Sequence, residues 1–158
     1  MSRYRIGIDP GVSGALVLLD GGALSPVEWM RMPTITVGRA KRVDGAEIAR
    51  WIHRSLMSPD VHAYLELVGA MPGQGVTSMF AFGHAAGSVC GVLAALQIPA
   101  TYVTPQAWKR RAGLIGKDKD AARSRAIQLW PAWDALGKKG EGQALADAAL
   151  IARFGESA

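Results

Sequence analysis

Residues 3–20, RYRIGIDPGVSGALVLLD, decide the fold. Tyr4, Ile6 and Ile8 alternate with Arg5 and Gly7, the period-2 pattern of a strand with one face in a core. The run stops at Asp9-Pro10-Gly11, where proline removes a backbone donor and glycine permits a reversal. Gly14 keeps the returning chain permissive, and Ala15–Asp20 is then a continuous apolar run ended by Gly21-Gly22. It reads as a central strand. Val27–Met32 predicts a third, closed by Pro33, and three strands joined by short connections make an antiparallel meander. The pattern therefore leaves one acid, Asp9, at the end of a buried strand.

Working outward, the period changes. Ile48, Trp51, Ile52 and Leu56 recur at helical spacing after Asp44-Gly45, with Pro59 as the stop. Val61–Val68 is a strand that carries Glu66 between Leu65 and Leu67. From Leu67 to Trp108 there is no Asp, Glu, Lys or Arg, which raises the question of a membrane span. Pro72-Gly73-Gln74-Gly75 break its start and Pro99 its end. The stretch between, Val76 to Gln97, holds Thr77, His84 and two serines. It reads as a buried or interface helix, and no membrane partner is expected. Ile98–Val103 predicts a fifth strand, Thr104-Pro105 a helix start, Ala121–Leu129 a helix stopped before Pro131, and Gln143–Phe154 a last helix ended by Gly155. This order implies one α/β domain over residues 1–158. Its five-stranded mixed sheet has antiparallel first strands and parallel crossovers, and helices flank it.

Composition narrows the class. A chain with 49% hydrophobic and 20% charged residues is not disordered. A single cysteine, Cys90, excludes a disulfide scaffold and a cysteine-based zinc finger. The first residues lack the apolar core of a signal peptide, so a cytoplasmic location is expected. The net charge of +5 is local. Lys109, Arg110, Arg111, Lys117, Lys119, Arg123 and Arg125 face only Asp118 and Asp120 within one segment, while the other 141 residues carry eleven of each sign. Such clustering marks a contact surface for a polyanion.

Three carboxylates sit in apolar contexts: Asp9, Glu66, and Asp147 within Ala-Leu-Ala-Asp-Ala-Ala-Leu-Ile. An ionised carboxylate is costly there unless a cation neutralises it. Adjacent central strands bring Asp9 and Glu66 close, and a helix on the sheet can add Asp147. Hard oxygen donors of this kind select Mg²⁺ or Mn²⁺. Taken singly, each acid also suits a plain role: Asp9 a turn residue, Glu66 a solvated strand end, Asp147 an outward helix position. His53, His62 and His84 are not spaced as a metal site. Gly83, Gly87 and Gly91 lie at i, i+4 and i+8 of the uncharged helix, and a stripe of small residues lets another backbone approach. Close packing on the sheet and a homodimer contact both fit that stripe.

Ile8-Asp9-Pro10-Gly11 with Gly14, Leu65-Glu66-Leu67-Val68, and Ala146-Asp147-Ala148-Ala149-Leu150 resemble the three acidic motifs of RuvC-type Holliday-junction resolvases, within the ribonuclease-H-like nuclease superfamily. Four further stretches look more like the bacteriophage and prophage branch: Val103–Lys109, Gly116–Lys119, Leu129-Trp130-Pro131 and Met71–Gly75. The resemblance runs from about Ile6 to Phe154. It implies a ribonuclease-H-like fold and hydrolysis of DNA phosphodiesters with two metal ions, Mg²⁺ with Mn²⁺ as a substitute, held by Asp9, Glu66 and Asp147. It also implies a homodimer acting on a four-way junction. Family members carry an Asp or His about one helical turn before the last Asp. This chain has Ala144 and Gln143 there, which leaves Gln143, or Glu141 if the helix starts late, as candidates. Lys109 and Lys119 match the family's phosphate-approaching lysines. Arg110, Arg111, Lys117 and Arg123 are further candidates for DNA contact, with Met71 and Gln74 of the loop after Glu66. Trp108 suits either core packing or stacking. Alternatives are a nuclease with broader taste for flaps and forks, a branched-DNA-binding protein that has lost catalysis, and a dimerisation domain. The last explains the glycines but not the acids.

Overall fold

In the computed structural model, which describes residues 2–56 and 60–156, the opening meander forms as β1 (Tyr4–Asp9), β2 (Ala15–Asp20) and β3 (Pro26–Arg31). After an interposed hairpin and the helix α1 (Gly45–Ser55), the chain returns as β6 (Val61–Glu66). Helix α2 (Val76–Ala95) and strand β7 (Ala100–Val103) follow. The five strands make one sheet in the order β3-β2-β1-β6-β7. The first three are antiparallel, and β6 and β7 run parallel to β1. Asp44 caps α1 by accepting from the Glu47 N–H. Pro59, expected to stop that helix, lies outside the described residues.

Strand alternation sorts the core into two layers. Tyr4, Ile6, Ile8, Leu16, Leu18, Ala63 and Leu65 face α1 and α2. Ala15, Val17, Leu19 and Tyr64 face the other layer. That layer holds α3 (Pro105–Ala112), α4 (Ala121–Leu129), a 3-10 turn (Asp134–Gly137) and α5 (Lys139–Phe154). Helix α5 packs along β1 and β2 with Ala144, Ala146, Ala148, Ala149 and Ala152 all buried, so its backbone lies low on the sheet.

Three expectations need correction. Residues 33–43 contain a hairpin that the pattern does not announce, β4 (Thr34–Val37) with β5 (Ala40–Val43). Its four-residue strands are mostly exposed, so little alternation is visible; the one cue is Gly38, at φ +63, supplying the turn. Helix α5 begins four residues before Gln143, because Gly140 and Gly142 conceal its first turn from a propensity argument. Helix α2 is long and apolar enough to cross a membrane by length and composition; of the two readings, buried or interface, the buried one fails, since only Ala85, Val89 and Leu93 are buried.

Candidate active site

In β1 the residues turned toward α5 are Arg5, Gly7 and Asp9, and in β6 they are His62, Tyr64 and Glu66, opposite in phase to the apolar set that faces α1 and α2. Ile8 stands beside Leu65 in the parallel register, so Asp9 and Glu66 end neighbouring central strands on one face. Gly7 delivers the third acid. A Cβ at that position would run into the carbonyl oxygen of Ala148 and the backbone of Ala152. Its absence lets α5 settle on β1, which carries Asp147 over the strand ends.

The charges respond to one another. Burial pushes the Asp9 carboxyl up to about 6; the Glu66 charge adds to this, and the Gly11 N–H offsets part. Asp147 is pushed up to about 7, first by burial, then by Asp9 and Glu66, against relief from Lys109 and from Gln143. Neutral donors hold two of the acids. Trp108, almost fully buried, donates from Nε1 to Glu66 Oε2 at 2.7 Å. Gln143 donates from Nε2 to Asp147 Oδ1 at 3.1 Å, while its own Oε1 is buried with no partner. Among the described residues no three acidic, histidine or cysteine side chains are drawn onto a single point. The acids are coupled through charge, with Glu66 leaning on Trp108 and Asp147 on Gln143. The donor set nonetheless fits a hard divalent cation: three carboxylates that repel one another, and one orphaned amide oxygen beside them.

A pH dependence follows for the metal-free protein. Both acids have folded-state values above the ordinary carboxylate range, so the native state binds protons that the unfolded chain has released. Their contribution to stability is therefore present at low pH and lost as pH rises through about 6 to 7. Thermal melts in chelator should show the melting temperature falling between pH 5 and pH 8, by at least ~5 °C for a few kcal/mol in a chain of this size. The fall should be smaller in Asp147→Asn. Identical pH profiles for the two proteins would remove Asp147 from the coupled set.

No protein-family model and no curated protein sequence matches the chain. Solved structures do. RuvC of Thermus thermophilus in complex with Holliday junction substrate superimposes with a TM-score of 0.60 at 15% identity, over 96% of this chain and 92% of that one. A second Thermus thermophilus RuvC structure gives 0.57 at 18% identity, over 96% and 93%. The fold is RuvC-like.

Within this RuvC-like frame the basic segment divides by what each residue touches. Lys109, with Nζ 5.4 Å from the centre of the Trp108 ring, lies near enough to Asp147 to favour its charged form. Arg110, Lys117 and Lys119 are exposed, with no acidic partner among the described residues. Arg111 instead donates to the Phe154 carbonyl at the end of α5 at 2.7 Å. Arg123 donates to the Leu136 carbonyl at 3.2 Å and lies 3.8 Å from Asp120. Arg125 donates to Gln128. Arg111 and Arg123 thus tie separate elements together, and Arg125 pairs within α4. Glu141 lies in the first turn of α5 facing Lys138 at 3.8 Å, so the late helix start that could have turned it inward does not occur. Met71 is exposed at the tip of the loop after β6, and Gln74 lines a shallow apolar cleft with Val68, Met79 and Phe82.

Trp108 is the residue that sequence reasoning undervalues. The available signal was that a buried indole needs a partner for its N–H. Trp108→Phe keeps the ring's bulk but leaves Glu66 without its donor. Loss of a buried donor to a charged acceptor should lower stability by roughly 1–3 kcal/mol, read as a fall of several degrees in melting temperature. An unchanged melt would show that the hydrogen bond does not hold Glu66 in place.

Proposed function

We propose that this protein is a divalent-metal-dependent endonuclease that resolves four-way DNA junctions as a homodimer. The observation that carries this is the charge-coupled trio Asp9, Glu66 and Asp147, delivered by β1, β6 and α5 onto one end of a RuvC-like sheet. Asp9, Glu66 and Asp147 would together hold the metal ions. When bound, Mg²⁺, or Mn²⁺ in its place, supplies a water of lowered pKa and stabilises the leaving 3′ oxygen. The chain's own residues set the stage. Trp108 fixes Glu66, Gln143 fixes Asp147 and offers its free Oε1 as a further oxygen donor, and Lys109 and Lys119 draw the phosphate toward a site whose acids repel it.

Branched DNA as the substrate is supported by a structural neighbour bound to a Holliday junction. A homodimer is supported by the outer face of α2. Val76 and Phe80 are largely exposed, and a Cβ added at Gly83, Gly87 or Gly91 would meet nothing, so that face is open and α2 itself puts no charged residue on it. A second copy covering it would set two sites in two-fold relation, matching a junction's symmetry. The motifs around Trp108, Lys119 and Pro131 favour the bacteriophage and prophage branch, acting in the cytoplasm of a bacterial cell or an infected host. One observation favours a second reading, a branched-DNA binder with impaired catalysis: Ala144, buried, and Gln143 stand where an acid or histidine is usual.

The test is to incubate the protein with a synthetic four-way junction, a fork, a flap and linear duplex, with and without Mg²⁺ or Mn²⁺. Paired symmetric nicks confined to the junction and dependent on metal are expected. Equal cutting of forks or flaps sinks the selectivity, and binding without cleavage in either metal establishes the binder. Lys119→Ala should slow junction cutting about tenfold or more at moderate salt, as expected for loss of one close phosphate contact in a catalytic site. Wild-type rates would take Lys119 out of the site.

A further inference from the structure

The net neutrality of the chain outside residues 109–125 hides a second basic cluster. Arg39, Lys41 and Arg42 fall within four residues of the β4–β5 hairpin, and none forms an ion pair with an acid among the described residues. The nearest acids are already committed. Asp44 caps α1, and Glu47 binds Arg50 at 2.9 Å and Arg54 at 3.1 Å. Arg39, at the turn, and Lys41 are exposed, with no hydrogen-bond or ion-pair partner among the described residues. Arg42 is braced: its guanidinium lies 5.4 Å from the centre of the Phe80 ring on α2, which fixes the hairpin against that helix.

Topology gives the cluster its meaning. Arg31, the last residue of β3, pairs with Ala15, and Ala15 pairs with Asp9. The chain therefore leaves β3 at the end of the sheet where the acids stand. The base of the hairpin is fastened there by Met32 N–H to the Gly14 carbonyl at 2.9 Å and Asp44 N–H to the Pro33 carbonyl at 2.8 Å. Lys109 and its neighbours follow β7, the opposite edge strand. Four strand spacings separate the two edges, roughly 19 Å. The acidic centre is thus flanked, at one end of the sheet, by unpaired cations on both sides.

We propose that the β4–β5 hairpin is a second DNA-backbone contact, in which Arg39 and Lys41 take phosphates of a duplex arm that passes the carboxylates and is held on the far side by the Lys109 segment. This rests on the nuclease reading and extends it to how the substrate is gripped. Exposed unpaired cations on a braced, rigid element are suited to phosphate, because little side-chain support has to be reorganised on contact. No base reading is implied, so the effect should be the same for any sequence.

The test is the salt dependence of binding to a four-way junction and to linear duplex, for wild type and for the double variant Arg39→Gln with Lys41→Gln. Both positions are exposed, so a thermal melt should confirm an unchanged fold. Each phosphate contact contributes about 0.9 to the slope of log affinity against log salt, so the slope should become shallower by about 2 for both DNAs. Affinity near 0.1 M salt should fall roughly tenfold, and Arg39→Lys with wild-type Lys41 should retain the full slope. An unchanged slope in the double variant, with wild type binding normally, overturns the hairpin contact and leaves the nuclease reading standing. The same unchanged slope with lost binding to phosphatidylserine vesicles assigns the hairpin to a lipid surface and also overturns the proposal. Absence of any DNA binding by wild type removes the nuclease reading, and this contact with it.

Discussion

On the proposed function, Asp9→Asn should abolish junction cleavage, by more than roughly a thousandfold or about 4 kcal/mol of transition-state stabilisation, and should at the same time stabilise the metal-free protein. Both effects come from one carboxylate. Asp9 is held in a buried position next to Glu66, which is why its carboxyl is pushed up to about 6. An amide of nearly the same shape carries no charge to bury and none to repel its neighbours. At pH 8 the melting temperature of the variant in chelator should exceed that of wild type, while at pH 5, where Asp9 is largely protonated, the gap should narrow. Junction binding, measured by gel shift without metal, should be retained or improved, since one negative charge has left the site. Cleavage that survives the substitution, or a variant that melts lower at pH 8, contradicts the assignment of Asp9 as a charged member of the site.

Gly7→Ala should be the most damaging conservative change in the molecule. The new methyl would occupy the space of the Ala148 carbonyl and the Ala152 backbone, atoms that cannot swing aside as a side-chain tip can. Relief requires α5 to lift from β1. Overpacking of this kind costs about 3 kcal/mol or more, a drop of roughly 6–12 °C in melting temperature at this chain length. Because Asp147 rides on the same helix, cleavage should be lost even at temperatures where the variant stays folded. Denaturation and junction cutting measured side by side settle it: a stable and active Gly7→Ala would mean that α5 is not positioned by that contact.

How much of this was legible in the sequence depends on the kind of signal. The meander and the parallel crossovers were readable because an alternating run ended at Asp9-Pro10-Gly11 and a continuous apolar run at Gly21-Gly22, and burial enforces such patterns strictly. The acids stood out for a related reason: a carboxylate directly after Ile-Gly-Ile, or between Leu65 and Leu67, contradicts its surroundings. The β4–β5 hairpin was not, since its residues are mostly exposed and selection for alternation is weak there. Nor could spacing reveal that Arg111 and Arg123 bond to carbonyls at the end of α5 and in the 3-10 turn. Surface arginines look alike until their partners are placed. The Trp108 indole on Glu66 joins residues 42 positions apart and leaves no local trace.

The placement of α5 has a consequence for when the set of three acids becomes complete. Asp9 belongs to the first strand and Asp147 to the last helix, and α5 makes much of its packing against β1 and β2. The pair therefore meets only through the longest-range contact the topology contains, the kind that closes slowly and late. During synthesis β1, β2, β3 and β6 can assemble while α5 is still inside the ribosome, and such an intermediate holds two acids of the three. On the nuclease reading, the complete set of acids is thus withheld from incomplete chains, and the step that finishes the core is the same step that completes the site.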